Sequence, residues 1–515
     1  MPPEPVVQHL VDTYFVHSHN QPYSYFQEER FRQLLSFGSL PKCLVLAVLA
    51  SSVRFSDHEY FQGRTHEAME AYAREAWLVV LNEHLTVENC PNLYVSQTTN
   101  ILAIIDFTAG RTSSGWLKIG MAVRIAQDLQ LMKEPNPLLP IVEQEERRRV
   151  FWSVYLLDKL VSCGKARPPA IADEDCHVQL PCEEDVFRTG TWKQTPTLHQ
   201  LLNWNADQDI RGHFTLAILV ASALGRCTRY VLHERETDNV QPWDSRSEFA
   251  SINSFLLLIE QHLQMDVSVA DMIDNSRLPD GSIDHQTMGH AIFARMVFHL
   301  CHCLLNHPFL LTLRLQKLKT KAPSSFLMRT FDTCCEHARK LPAWLEQAQA
   351  AGCHIEASFY AYATCLAGGV LSLLVHAQEG IQRVPPQQLV DAGQQALRIL
   401  ENMGKFWSHA SKMHTQLLSF QSHTQAFDNM LAQNSSLEIG PELEAILWSM
   451  VDYGTMCGCL RAAEPSDASI AVDMPSPTFL DFDMDLATEN AFDLSASGGL
   501  SGSRPSMSSY GVDCS

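Results

Sequence analysis

The sequence predicts an all-α protein, a large multi-helix domain with a disordered acidic C-terminal tail. Between residues 5 and about 462, apolar residues recur at three- and four-residue steps separated by short polar breaks. No series of alternating strands bounded by hairpin turns interrupts that pattern. At Glu464 the composition changes to Ser, Gly, Pro and Asp, which bury too little apolar surface to order a chain. With 46% hydrophobic and 9% aromatic residues, the 515 positions suffice for a large core, and no fixed repeat length marks a solenoid.

Over residues 114–132, Trp116, Ile119, Val123, Ala126 and Leu129 share one helical face, which leaves Lys118, Arg124, Gln127 and Asp128 to solvent. Pro135, Pro137 and Pro140 form a turn, and a second helix is expected over 142–163. Glu143, Glu145 and Glu146 in its first turn, and Lys159 near its end before Gly164, suit the helix dipole. Val150, Phe151, Val154, Leu157 and Val161 make an apolar stripe that Trp152, Tyr155, Leu156 and Leu160 widen around most of the circumference, so this helix belongs deep in a bundle. Arg167, Pro168 and Pro169 then stop helix formation and impose an extended stretch over 171–180. Further helical patterns fall at 214–231, 255–262, 291–318, 326–338, 358–376, 389–407 and 443–459, with a polar break at 271–285.

The formal net charge of -20, from 58 acidic against 38 basic side chains, works against a broad phosphate-binding surface and disfavours direct DNA binding. The opening MPPEPVVQHL has neither the basic nor the apolar region of a signal peptide, so the chain is expected inside the cell. The 15 cysteines are an odd number without any CxxC pair, many within apolar runs, as befits reduced thiols in a core. The uncharged stretch 357–378 is long enough to span a bilayer, but Glu356 and Glu379 flank it and it contains Ser358, Thr364, Ser372 and His376. A buried helix and no membrane contact are expected.

Several residue groups imitate chemistry. Arg147, Arg148 and Arg149 resemble a nuclear address, but Glu143 and Glu145 stand four residues ahead of Arg147 and Arg149, which makes helical ion pairs the expected role. Asp173, Glu174, Asp175 and His177 offer metal-type ligands without a second motif to complete them, and a loop that caps helix ends is the plainer reading. His299, Cys303 and His307 share a helical face, but in an apolar helix such residues are core. Asp481, Asp483 and Asp485 open like a calcium loop, yet Leu486 and Phe492 occupy the required Gly and Glu positions. With no GxSxG, HExxH, phosphate-loop or dinucleotide motif, no catalytic, cofactor-binding or metal residues are assigned and the chain is not expected to be an enzyme.

Residues 115–181 closely resemble the signature of the fungal-specific transcription factor domain, the middle homology region of the zinc binuclear cluster regulators. The family pattern is a Trp-led helix ending in a DLGLH-like turn, an acidic residue and Arg run before a WWSLYLLD-like helix, then GRPxxIxDxDxxxxLP. Its counterparts here are residues 128–132, 146–158 and 164–181. The matching residues are Trp116, Arg147, Arg148, Trp152, Tyr155, Asp158, Arg167, Pro168, Ile171, Asp173, Asp175, Leu180 and Pro181, and the resemblance gives them a structural role. The segment VVQHLVDTYFVHSHNQPYSYFQEERF from Val6 is similar to the family's domain start, and FHLCHCLLNHPFL, 298–310, to its later helix with a HRPF-like turn. Gln130 and Met132 replace the usual Gly and His, and Asn306 stands where a basic residue is usual.

The resemblance implies a regulatory domain over 1–310, a continuing helical region of the same fold over 311–462, and a tail over 463–515. In that tail Phe479, Leu480, Phe482, Met484, Leu486, Phe492 and Leu494 alternate with acidic residues in the pattern of an activation segment. It further implies a nuclear regulator of RNA polymerase II-dependent transcription, with transcription machinery or coactivators as partners and homo- or heterodimers with family members. The family's zinc cluster belongs to an N-terminal six-cysteine module that this sequence does not contain, so DNA would be reached indirectly or through that missing module. A second reading is an interaction protein that pairs with or titrates a complete family member, and a third is a helical metal-dependent enzyme.

Overall fold

The computed structural model describes residues 1–86, 90–203, 210, 212–233, 240–375, 384–427 and 440–458. The tail 463–515 and its seven apolar activation-segment residues lie outside the described residues. The first helices are α1 (Glu4–His17), α2 (Glu28–Ser36), α3 (Lys42–Ser52), α4 (Thr65–Val79), α5 (Leu93–Thr108), α6 (Thr112–Asp128) and α7 (Ile141–Val161). Then come α8 (Glu184–Arg188), α9 (Leu198–Leu202), α10 (His213–Val231), α11 (Glu248–Leu263), α12 (Val269–Asn275), α13 (His285–Leu305) and α14 (Pro308–Lys317). The last are α15 (Ser324–Ala350), α16 (Phe359–Val375), α17 (Pro386–Met403), α18 (Ser408–Gln421), α19 (Pro441–Ser449) and α20 (Tyr453–Cys457). Among the described residues, extended backbone pairs only at two isolated bridges, Gln179 with Thr197 and Arg277 with Ile283. The class is all-α.

Local chemistry sets the helix starts. Asn92, Ser247, Ser268, Asp284 and Asp452 each accept a backbone N–H of the first turn, and Thr197 with Gln200 forms a capping box. Pro308, Pro386 and Pro441 occupy first positions, where the missing amide costs nothing. Pro308 also corrects the single helix expected over 291–318: the chain breaks at Asn306 and His307, and α14 restarts on the proline. The helix expected over 326–338 runs on to Ala350 through Pro342. An interior proline costs about 3 kcal/mol, and the burial of Leu341, Leu345 and Ala348 around it offsets that loss.

The helices stack in succession. α3 packs on α1, α4 and α5; α6 lies between α5 and α7; α7 meets α10; and α10 packs on α13. α13 in turn meets α15 and α16, and α17 and α18 cover α16. One hydrophobic core runs through these layers from Val6 to Cys457, with a small satellite around Val79, Val80 and Ile125. Helix α16 is buried along its length, as expected for the uncharged stretch. Helix α10 and the α13–α14 pair are also long and apolar enough to cross a membrane, but most of each is buried within the fold. Gly115 allows α6 to meet α5, because a Cβ there would lie 2.9 Å from Phe107.

The C-terminus of α6 shows what the Gln130 departure does. Leu131 N–H reaches Ala126 O at 2.9 Å and Gln130 N–H reaches Gln127 O at 3.0 Å, the bond pair of a Schellman cap. Its left-handed position is filled by Gln130 at φ 53°, where the family pattern has glycine. Side chains are strained in that conformation and Gln130 is exposed. Gln130→Gly is therefore expected to stabilise the protein by about 0.5–1 kcal/mol, read as a rise in the urea midpoint with unchanged slope.

Candidate functional site

The signature maps onto α7 and the chain wrapped around it, and there it buries charge. Arg149 has no exposed side-chain surface. It donates to Glu145 at 3.2 Å, Glu184 at 2.8 Å, the Ser24 hydroxyl at 2.9 Å and the Cys182 carbonyl at 3.0 Å. The Phe187 ring lies 3.9 Å from the guanidinium carbon. Burial works against the charge of Glu184, yet Arg149 outweighs it and holds this carboxyl at about 2. Burial opposes the Arg149 charge as well, and Glu184 with Glu145 holds the guanidinium above its ordinary range. Ser24 is fixed to α7 a second time, through its N–H to the Ser153 hydroxyl at 2.9 Å, while that hydroxyl donates to Ser24 O at 2.8 Å. The domain-start segment and the signature helix are thus one polar unit.

The C-terminal half of α7 holds the loop that follows it. Asp158, fully buried, accepts the Ala170 and Ile171 amides at 3.0 Å, and Lys159 donates to Ile171 O at 2.6 Å. Burial pushes the Asp158 carboxyl up, while those amides and Lys159 oppose it. Asp173 accepts from Tyr155 at 2.8 Å and from Ser222 at 2.6 Å and lies 3.1 Å from Lys159. Burial would raise Asp173, but Lys159, Ser222 and Tyr155 together keep it below the usual carboxylate range. Trp152 donates to Gln179 O at 2.8 Å, and Arg148 binds Glu134 at 2.7 Å and Glu145 at 3.3 Å. Arg167 donates to Thr112 at 3.0 Å, with the rings of Phe107 and Trp116 at 5.3 and 5.8 Å. Ile171, Leu180 and Pro181 are buried beneath the loop, whereas Pro168 and Asp175 are exposed.

Each central charge is answered within the chain, so the chemistry of this arrangement is that of a clamp. The structure brings Arg148, Trp152, Tyr155, Asp158, Ile171, Asp173, Leu180 and Pro181 together on one side of α7. Arg147 stands apart, donating to Leu129 O at 3.5 Å. Of the two ion pairs expected from spacing, Glu145–Arg149 forms, whereas Glu143 lies 3.5 Å from Arg30 instead. Lys118, expected in solvent, is buried, and so is Lys159, read from the sequence as a helix-end charge. Lys118 binds Asp106 at 2.5 Å over the Trp77 ring, and Lys159 works inside the clamp. Sequence reasoning missed Ser24 and Glu184, whose bonds to Arg149 span 125 and 35 residues and leave no local pattern. His299, on the face it shares with Cys303 and His307, turns its Nδ1 to within 2.8 Å of that of His337 across on α15.

A family model described as the fungal specific transcription factor domain matches residues 11–255, the span that contains Ser24, α7, the loop and Glu184. Residues 11–255 are similar to the fungal specific transcription factor domain. Similarity to curated proteins reaches further. The Zn(2)-C6 fungal-type transcription factor FTF1c of Fusarium oxysporum f. sp. lycopersici is 24% identical over 437 residues, 79% of this chain and 44% of that protein. Two uncharacterized transcriptional regulatory proteins of Schizosaccharomyces pombe, C1327.01c and C530.11c, are 28% and 27% identical over 279 and 282 residues. Those matches cover 50% and 49% of this chain and 28% and 33% of the two proteins, so the chain spans less than half the length of each relative.

Two tests follow from these buried charges. Arg149→Met leaves Glu184 buried without its cation and is expected to cost about 3–5 kcal/mol, measured by urea denaturation. The second concerns acid. Burial lowers His19 and His409 to about 4 and His290, His299, His307 and His337 to about 3, against an ordinary 6.5. The unfolded chain therefore takes up protons that the fold refuses, so their contribution is complete above pH 6.5 and is lost as the pH falls through about 4 for His19 and His409 and about 3 for the others. Glu184 adds a further loss between its ordinary 4.5 and about 2. Urea midpoints taken from about pH 7.5 down to about 5 are expected to fall steadily, and a flat profile would contradict the neutral buried histidines.

Proposed function

We propose that this chain is the regulatory part of a nuclear transcription regulator acting on RNA polymerase II-dependent genes. The observation that carries the proposal is the domain match over 11–255, supported by transcriptional regulators as relatives of the chain. In this reading the helical domain gates activity and the acidic segment around Phe479 to Leu494 recruits coactivators or the transcription machinery. A net charge of -20 leaves DNA contact to a module outside these 515 residues or to a family member paired with the chain. A cavity of about 370 Å³ between α10, α11, α12 and α13, lined by Leu216, Met272, Ala291 and Arg295 among others, offers room for a small effector.

The test fuses the chain to an unrelated DNA-binding module and reads a reporter with the matching site. Activation above the module alone is expected, and truncation after Arg461 should return it to background. Unchanged output from the truncated fusion removes the tail as the activating segment, and no output from the full fusion removes the activator reading.

A further inference from the structure

Away from the clamp, a cluster of imidazoles and one carboxylate forms where the end of α1, the start of α13 and the link between α15 and α16 meet. His17 Nδ1 lies 2.8 Å from Glu356 Oε1, and His354 Nδ1 lies 3.2 Å from the same oxygen. One ligand atom from each of His17, His354 and Glu356 falls within 4.8 Å of the others. His285 stands against this group, its ring centroid 4.1 Å from that of His354 and its Nδ1 buried without a hydrogen-bond partner. The packing fixes the donors. The His17 ring stacks on Phe55 at 5.3 Å, and the Glu356 carbonyl accepts the Trp407 indole N–H at 2.9 Å.

Two imidazoles that turn the same ring nitrogen toward one carboxylate oxygen present a convergent nitrogen-and-oxygen donor set. A tetrahedral ion with bonds of about 2.05 Å needs donors about 3.3 Å apart, which these separations approach to within about half an ångström. We infer that His17, His354 and Glu356 bind a divalent transition-metal ion, with zinc the cation best suited to two imidazoles, one carboxylate and an open fourth position. His285 is placed to fill that position or to hydrogen-bond a water in it. Binding requires each ligating ring to carry its proton on Nε2, so the hydrogen bonds to Glu356 are exchanged for bonds to the ion. Because the ligands come from residues 17, 354 and 356, the ion would tie α1 to the link that leads into α16. Residues so far apart form no spacing motif, which is why the sequence shows no metal site here.

The experiment uses the full 515-residue chain, stripped with chelator and then titrated with zinc by calorimetry and with cobalt by visible absorption. One equivalent of metal, a tetrahedral cobalt spectrum without thiolate charge-transfer bands, and a raised melting temperature are expected. Glu356→Gln and His354→Gln should each weaken binding by at least about tenfold, while the exposed His66→Gln variant binds as the parent does. Circular dichroism on each variant separates lost ligands from lost fold, and His17→Asn serves where either variant unfolds. The inference is overturned by any of three results: no zinc uptake at tens of micromolar, undiminished binding by folded Glu356→Gln, or thiolate bands that place the ion on cysteines.

Discussion

The fold is organised around a guanidinium that has no water. An arginine with no exposed side-chain surface is tolerable only when its charge and its donors are answered inside the protein, and Arg149 is answered by Glu145, Glu184, Ser24 and Cys182. Stranding one charge of such a set costs about 3–5 kcal/mol, a large part of the 5–15 kcal/mol that holds a typical domain together. The partners come from the domain-start segment, from α7 itself and from the residues around α8. Three stretches distant in sequence must therefore be in place together or not at all. His290 on α13 extends the dependence, donating from Nε2 to Pro22 O at 2.9 Å while its ring stacks on Phe214 of α10.

The spacing of the family signature has a direct physical reading in this light. Asp158 sits 12 and 13 residues before Ala170 and Ile171, whose amides it accepts, and Lys159 reaches the Ile171 carbonyl from the adjacent position. Pro168 and Pro169 hold the intervening chain extended, so that those amides face α7 rather than one another. Asp173 then returns to Tyr155 one helical turn before Asp158. The pattern of helix, Arg-Pro turn and acidic loop is a fastening of loop to helix.

What was legible in the sequence was what is local. The periodicity of α6, α7, α10, α16 and α17 marks those helices to within a few residues, because burial of one face is written at steps of three and four. The Glu145–Arg149 pair is legible for the same reason. Glu143 and Arg147 have the same spacing, yet Arg30 on α2 draws Glu143 away, and no local rule contains α2. Lys118 looks like a solvent-facing residue, and Lys159 like a helix-end charge, until Asp106 and Asp173 are brought beside them. The helix expected over 326–338 runs on past Pro342, whose penalty is local, because the burial of Leu341 and Leu345 that outweighs it is tertiary.

The same constraint bears on how such a domain would switch. Moving α7 alone would separate Arg149 from Glu184 and Lys159 from Asp173, leaving charges buried without partners, so small rearrangements inside the clamp are the costliest in the structure. The interfaces farther out, α10 with α13 and α13 with α15 and α16, hold more apolar side chains, with polar contacts such as His299–His337 and Arg295 over Trp344 among them. A rearrangement that leaves α7 and its loop together strands none of these charges.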